Sequence, residues 1–135
     1  MGADLGPPLV LPLPQKKKSP VVVQNLAPGA AARLGLSFET LHPTLPKLIV
    51  CDISGYGDDR ERPGPYREKK AYDLLIQSES GFLSVTGTPD EMAKAGCSIA
   101  DIAAGMYAYS SILAALIERG RTGRGRRIDI SMLES

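Results

Sequence analysis

A single apolar stretch constrains the fold of this chain more than any other feature. Residues 99–117 read IADIAAGMYAYSSILAALI, with Asp101 as their one charged side chain, and an arginine- and glycine-rich run follows at 119–127. The stretch is long enough for a buried helix of a soluble protein or for a single membrane span. Its many small residues, and the strand pattern that follows it, favour the soluble helix. The membrane span remains the alternative.

Composition narrows the class of protein further. The chain has 135 residues, is 43% hydrophobic, and carries 16 Lys+Arg against 15 Asp+Glu, for a net charge of +1. The apolar content is sufficient for a core, and the near-zero charge argues against nucleic-acid binding through bulk charge. One histidine and two cysteines, Cys51 and Cys97, make neither a zinc site nor a disulfide framework. We therefore expect a cytoplasmic protein without a bound metal.

Proline density divides the chain into two unequal parts. Five of the 11 prolines fall within residues 1–20. Prolines at this density remove backbone donors and block helix formation. Lysines 16–18 follow the apolar residues of this segment, which is the reverse of the order in a signal peptide. We predict that residues 1–19 are a disordered or non-native leader, and that residues 20–135 form the folded part.

Strand and helix patterns alternate after the leader. Two short β-branched or apolar runs are typical of buried strands, and a polar–apolar alternation near the end predicts a third strand. The patterns predict strands at 21–23, 48–57 and 127–133, and helices at 30–34, 38–41, 72–85 and 99–119. Ser37 is the predicted N-cap of the second helix. This order predicts an α/β fold with mostly parallel strands and a long buried helix.

The start of the long helix carries a carboxylate with two interpretations. Ser98 and Asp101 have the spacing of a capping box, with Asp in place of the usual Glu. In that interpretation Asp101 only satisfies the helix start. The same position also places an ionised carboxylate at the positive end of the helix dipole, where it is able to attack a carbonyl. Spacing alone leaves both roles open.

Five short motifs, taken in order, resemble the class III coenzyme A transferases over about residues 20–135. They are Asn25-Leu-Ala-Pro-Gly29 with Arg33-Leu-Gly-Leu36, the strand and glycine turn from Leu48 to Gly57, Lys70-Ala-Tyr-Asp73, Ser98 to Gly105, and Arg121 to Leu133. No single motif is decisive, and their order carries the resemblance. The resemblance implies an α/β fold that is part of the Rossmann-like large domain of that family.

The resemblance also implies a reaction. Asp101 would attack the thioester of an acyl-CoA to form a mixed anhydride, and the CoA thiolate would then form an aspartyl-CoA thioester. An incoming carboxylate would take over, and CoA would finally be returned to it. CoA and acyl-CoA are substrates in this scheme, with no permanently bound cofactor. The partners implied are an acyl-CoA, a small carboxylic acid and a second copy of the chain in an interlocked homodimer.

A set of positions matches the residues that line CoA in the family. They are Asn25, Leu26, Ala27, Arg33, Lys70, Ala71, Tyr72 and Asp73. Arg33 and Lys70 are suited to phosphate groups, although exposed cations of ordinary surface type would have the same pattern. Asp73 would lie beside CoA without attacking it. A solvated charge in the first turn of a helix is its other interpretation.

The branch of the family is indicated by Tyr72. Related α-methylacyl-CoA racemases place a catalytic histidine at this position, and a tyrosine is a poor base at neutral pH. Transfer is therefore favoured over racemisation, which remains an alternative. The sequence of residues 69–77 resembles that of the family members that use succinyl-CoA and small dicarboxylates.

Members of this family are several times longer than 135 residues. We therefore expect a fragment of a longer reading frame, or a degraded paralogue, with little or no transferase activity by itself. A non-catalytic fragment and a single-span membrane protein using residues 99–117 are the remaining alternatives.

Overall fold

The computed structural model describes residues 21–58 and 64–135. The predicted leader 1–19 lies outside the described residues. The strands are β1 (Val21–Gln24), β2 (Ile49–Ser54) and β3 (Arg127–Ser131), and the helices are α1 (Ala30–Arg33), α2 (Phe38–Leu41), α3 (Asp73–Glu79) and α4 (Ile99–Thr122), with a 3₁₀ turn at Phe82–Val85. The predicted α/β class with parallel strands is confirmed.

The three described strands form one parallel sheet with β2 at its centre. Val21 pairs with Ile49 across the first interface, and Cys51 pairs with Ile128 across the second. Because β2 is covered on both faces, its residues from Ile49 to Asp52 are buried. A central parallel strand is expected to be apolar for the same reason. The polar Asp52 therefore needs partners inside the protein.

Alternation along the strands gives the sheet two different faces. Side chains of successive residues point to opposite sides of a strand. In the pairing register, the side chains at odd positions of β2 therefore lie on the same face of the sheet as those at even positions of β3. The apolar face contains Val21, Val23, Ile49, Cys51, Ile53, Ile128 and Ile130. The polar face contains Gln24, Asp52, Ser54, Arg127, Asp129 and Ser131, together with Val22 and Val50.

Helix α4 covers the apolar face through its smallest side chains. The buried residues of α4 are Ala100, Ala104, Ala108 and Ala115. The first three pack in one cluster with Cys51 and Ile130. Alanine lets the helix approach the sheet closely, because nothing beyond a methyl group separates the two backbones.

The opposite side of α4 corrects the prediction of a long buried helix. Its large apolar side chains are exposed, including Met106 at 65%, Tyr109 at 67% and Ile117 at 63%. The prediction was wrong on this point because an all-round apolar sequence does not tell which side meets the sheet. By length and composition, α4 is the one helix among the described residues that is suited to crossing a membrane.

The predicted helix at 72–85 is broken. Helix α3 ends at Glu79, and Gly81 has a left-handed backbone with φ of +81° before the 3₁₀ turn begins. Glycine adopts this conformation without the steric cost of a side chain. The predicted N-cap of α2 is confirmed, since the Ser37 hydroxyl accepts a hydrogen bond from the Thr40 amide.

Candidate functional site

The candidate site lies at the edge of the sheet where the strands end. The loops after β1 and β2 meet there in a cleft of about 200 Å³, which Leu26, Ala27, Ser54 and Gly57 help to line. Because α4 leads back into β3, its N-terminus lies toward the same edge. Ligands of open α/β sheets bind in the crevice outside the carboxyl ends of the strands.

The turn after β1 is tied to the centre of the sheet. The Gln24 side chain donates to Asp52 over 2.8 Å and accepts from the Leu26 amide over 2.8 Å. These bonds fix the turn in which Asn25, Leu26 and Ala27 follow one another. Leu26 and Ala27 line the cleft, and Asn25 is exposed beside them.

Arg33 lies against the glycine that follows this turn. Gly29 has φ of +72°, and a Cβ built there would approach the Arg33 guanidinium to 3.0 Å. A side chain at position 29 would therefore be strained and would displace Arg33. The turn motif and the predicted phosphate ligand are thus one local unit.

The Lys70–Asp73 segment packs on the end of β2. Gly55 lies so close to Ala71 that the methyl group of an alanine at position 55 would overlap that side chain. Lys70 and Tyr72 are exposed, with Tyr72 at 71%. The close contact with Gly55 explains why the residue between Lys70 and Tyr72 is as small as alanine.

Four carboxylates surround Arg127 on the polar face, and sequence reasoning missed this cluster. Arg127 binds Asp52 over 2.9 Å, Asp58 over 2.8 Å and Asp129 over 2.7 Å, with Glu39 at 3.4 Å. Arg67 also binds Asp58, over 2.5 Å. The polar alternation of β3 was the available signal, because a parallel register sets Asp129 beside Asp52.

The cluster shifts the pKa values of its members in different directions. Burial opposes the charge on Asp58, but hydrogen bonds from Arg127 and Arg67 outweigh it and lower the pKa of Asp58. Burial raises the pKa of Asp129, and repulsion from Asp52 and Asp58 adds to it despite the nearby Arg127. The Arg127 pKa is raised, since its acidic partners outweigh burial. Asp58 therefore ionises more readily than an ordinary aspartate, and Asp129 ionises less readily.

Cations near the cleft fall into two groups. Arg127 and Arg67 line the cleft but are occupied by carboxylates. Arg33 and Lys70, by contrast, have no ion pair within residues 21–58 and 64–135. The two predicted phosphate ligands are therefore available to an anion.

A neighbouring segment caps the N-terminus of α4. An Asp73 carboxylate oxygen accepts from the Ala100 amide over 2.9 Å and from the Asp101 amide over 3.4 Å. Ser98 occupies the N-cap position but makes no side-chain capping bond. The predicted capping box of Ser98 and Asp101 is therefore wrong, because Asp73 takes the donor that the serine would have bound.

Asp101 is left with an unoccupied side chain. It is exposed, and no hydrogen bond or ion pair of its carboxylate occurs within the described parts of the chain. The structure thus brings two of the predicted site residues, Asp73 and Asp101, into direct contact through carboxylate and backbone. Asp101 lies in the first turn of α4, where the helix dipole favours a negatively charged side chain. No group of three or more potential metal ligands is present in residues 21–58 and 64–135.

The chain is similar to known proteins over most of its length. The sequence profile of CoA-transferase family III matches residues 16–135. A succinate–glutarate CoA-transferase of Agrobacterium fabrum is 44% identical over 115 residues, which are 84% of this chain and 28% of that protein. A succinyl-CoA:glutarate CoA-transferase of Homo sapiens is 35% identical over 116 residues, which are 85% of this chain and 26% of that protein.

A solved structure shares the same fold. The crystal structure of a CaiB/BaiF family protein from Brucella suis superimposes with a TM-score of 0.78 at 39% identity, covering 86% of this chain and 30% of that one. The chain thus spans between a quarter and a third of the length of the relatives cited. Because the family profile matches all of the described residues and most of the chain, the chain belongs to CoA-transferase family III.

Proposed function

We propose that this chain is part of an enzyme that transfers CoA between an acyl-CoA and a small carboxylic acid, with Asp101 as the nucleophile. One observation carries the assignment. The Asp101 carboxylate is exposed at the start of a 24-residue helix and has no partner in the described parts of the chain. A nucleophile needs a free, charged oxygen, and the positive end of a long helix favours the charge.

The proposed reaction proceeds in balanced steps. An Asp101 oxygen attacks the thioester carbonyl, the C–S bond breaks, and an anhydride and the CoA thiolate result. The thiolate then attacks the aspartyl carbonyl, which forms an aspartyl-CoA thioester and releases the donor acid. The acceptor carboxylate attacks the carbonyl of this thioester, the C–S bond breaks, and a second anhydride and the CoA thiolate result. The thiolate finally attacks the acceptor carbonyl of that anhydride. CoA leaves on the acceptor, and Asp101 returns as a carboxylate.

The CoA-binding role rests on the free cations at the strand edge. Arg33 and Lys70 have no acidic partner among the described residues, and both side chains are suited to phosphate, arginine through paired hydrogen bonds and lysine as a point charge. Leu26 and Ala27 line the cleft at the same edge of the sheet and supply apolar surface there. We assign these residues, with Asn25, Ala71, Tyr72 and Asp73, to the CoA side of the site.

The proposed substrates are succinyl-CoA and a small dicarboxylic acid. The support comes from relatives whose names include succinate or succinyl-CoA and glutarate, at 35% to 44% identity. A formyl-CoA:oxalate CoA-transferase is 38% identical, within the same range, so a smaller dicarboxylate is a competing acceptor. Tyr72 supplies no base for a racemase, which keeps transfer ahead of racemisation.

The proposed setting is a cytoplasmic homodimer. The large apolar side chains on the outer side of α4 are exposed in this chain, and exposed apolar patches usually mark contact surfaces. They support the proposal that further protein covers this side of α4. The alternative of a membrane span predicts that the 135-residue chain fractionates with membranes. Packing of Ala104 and Ala108 against the sheet favours recovery in the soluble fraction instead.

A chimera tests the nucleophile directly. The matched 115 residues of the Agrobacterium enzyme are replaced with those of this chain, and transfer of CoA from succinyl-CoA to glutarate is followed. We expect the chimera to be active, and Asp101→Asn to lower its kcat by at least about a thousandfold. Asp90→Asn, which changes an exposed loop carboxylate, is the matched control and should leave kcat unchanged. An Asp101→Asn chimera that retains turnover would eliminate Asp101 as the nucleophile.

The binding half is tested on the 135-residue chain itself. Calorimetric titration with CoA should show weaker binding for Arg33→Ala and Lys70→Ala, and wild-type affinity for Lys94→Ala, an exposed cation on another loop. Equal affinity for all four proteins would contradict the assignment of Arg33 and Lys70.

A further inference from the structure

The start of α4 has the sequence of a capping box, but the structure does not form one. Ser98 and Asp101 have capping-box spacing, in which the serine hydroxyl would accept from the Asp101 amide and the Asp101 carboxylate from the Ser98 amide. The structure shows neither bond. The Ser98 backbone, with ψ of 73°, also lies outside the extended conformation of a usual N-cap.

The bond that displaces this box comes from another helix. Asp73, the first residue of α3, accepts from the second and third amides of α4, those of Ala100 and Asp101. These are the donors that a local N-cap side chain normally satisfies. The Asp101 amide therefore donates to Asp73 and not to the Ser98 hydroxyl.

A buried glutamine holds Asp73 in this position. The Gln77 amide donates to the second Asp73 oxygen over 2.5 Å, and its carbonyl accepts from the Ala95 amide over 2.9 Å. Gln77 is 1% exposed, so its side chain has little freedom to move. Since Ala95 needs an acceptor, the NH₂ end of Gln77 must face Asp73. The orientation of the Asp73 carboxylate is thus fixed from both sides.

We infer that Asp73 is a positioning residue that keeps the Ser98–Asp101 capping box open and so keeps the Asp101 carboxylate free. The chemical part of this inference rests on the proposed function of Asp101. Asp73 acts through the backbone of α4 and is not itself assigned to touch the reacting atoms. Without it, the local box closes, and the Asp101 carboxylate turns back to the Ser98 amide.

Amide hydrogen exchange in the 135-residue chain tests the displacement. In Asp73→Ala, we expect exchange at the Ala100 amide to accelerate about fivefold, which corresponds to loss of a typical cap. Exchange at the Ser98 amide should become slower, because the Asp101 carboxylate now binds it. A residue that only stabilised the helix would give no new protection at Ser98. Ala114→Gly, an exposed substitution that weakens the same helix away from its start, is the control and should leave Ser98 unprotected.

Carboxyl footprinting tests the consequence for Asp101. Modification by a carbodiimide and an amine should be several-fold slower at Asp101 in Asp73→Ala than in the wild type, with the exposed Asp90 as internal reference. The pair Asp73→Asn with Gln77→Glu reverses the donor and acceptor between the two side chains while retaining both contacts. It should restore wild-type exchange at Ala100 and wild-type modification at Asp101.

Two results would overturn the inference: unchanged Ser98 exchange in Asp73→Ala, or Asp101 modification as fast as in the wild type. Neither readout involves turnover. Failure of the chimera with Asp101→Asn to lose activity would refute the nucleophile and leave the displaced capping box intact, so the two failures are distinguishable.

Discussion

The two faces of the sheet are held by different forces. On the apolar face, Cys51 and Ile130 pack against the alanines of α4, and the contacts are many, weak and non-directional. On the polar face, Arg127 alone joins four carboxylates that come from three parts of the chain. One face distributes its stability over a surface, whereas the other concentrates it in one side chain.

The difference also governs the chemistry of the groups on each face. Burial raises the pKa of the Cys51 thiol to about 11, with the charges of Asp52 and Asp129 adding to the shift. On the polar face, paired charges oppose burial, and Asp58 has a lowered pKa. An apolar face therefore suppresses ionisation, and a polar network preserves it where the partners are well placed.

The largest effect is expected from removing the centre of the polar network. Arg127→Leu leaves Asp52 without its cation, and the side chains of Arg127 and Asp52 are only 16% and 11% exposed. Breaking a buried pair on one side costs about 3–5 kcal/mol, because the remaining charge is uncompensated. Urea unfolding at pH 7 measures the loss.

Arg126→Leu is the matched control for this substitution. Arg126 is 59% exposed and binds Glu118 over 2.8 Å. An exposed pair contributes about 0–1 kcal/mol. Equal losses for the two leucine variants would show that the polar face does not depend on Arg127.

A smaller effect is expected from overpacking the apolar face. Ala104 is 1% exposed between α4 and the sheet, so Ala104→Leu forces the helix outward. Extra methyl and methylene groups in a packed core cost about 1–3 kcal/mol. The midpoint of urea unfolding measures this change.

The same substitution on the exposed side of the helix provides the comparison. Ala114→Leu adds the same atoms where α4 is open, and leucine is nearly as good a helix former as alanine. We expect a change within about 0.5 kcal/mol. Comparable destabilisation by both variants would mean that the outer side of α4 is packed in solution.

The apolar face was predictable from the sequence, and most of the polar face was not. Hydrophobic runs at 21–23 and 48–51 and the alternation at 127–133 predicted all three strands, because burial imposes a periodicity on residues that are adjacent in the chain. Arg127 and Asp58 are 69 positions apart, and only the folded register shows that they meet.

The candidate site divides in the same way. The order of the motifs resembled a known family and predicted Asp101, Asp73 and the turn at 25–27 as site positions, and these assignments stay predictions. The capping box was wrong, because a local spacing rule cannot anticipate a competing acceptor 27 positions away. Gln77 went unnoticed since a lone glutamine in a helix carries no signal until its partners are known.

The smallest effects, and the sharpest test of the polar network, come from two of its acids. Asp58 has a lowered pKa in the fold, so its charge stabilises the protein above the ordinary aspartate pKa and this stabilisation is lost as the pH falls. Asp129 has a raised pKa, so its contribution is largest at low pH and is lost as the pH rises through the folded value.

At pH 7, Asp58→Asn should therefore destabilise the chain, and Asp129→Asn should be neutral or stabilising. The side chains are 32% and 39% exposed, which limits each effect to about 1 kcal/mol. Urea unfolding from pH 7 to about pH 3 should show both differences from the wild type shrinking toward zero, from opposite signs, as the wild-type carboxyls become protonated. A loss of the same sign and size for both variants at pH 7 would show that Arg127 binds its acidic partners equally, contrary to the opposite pKa shifts.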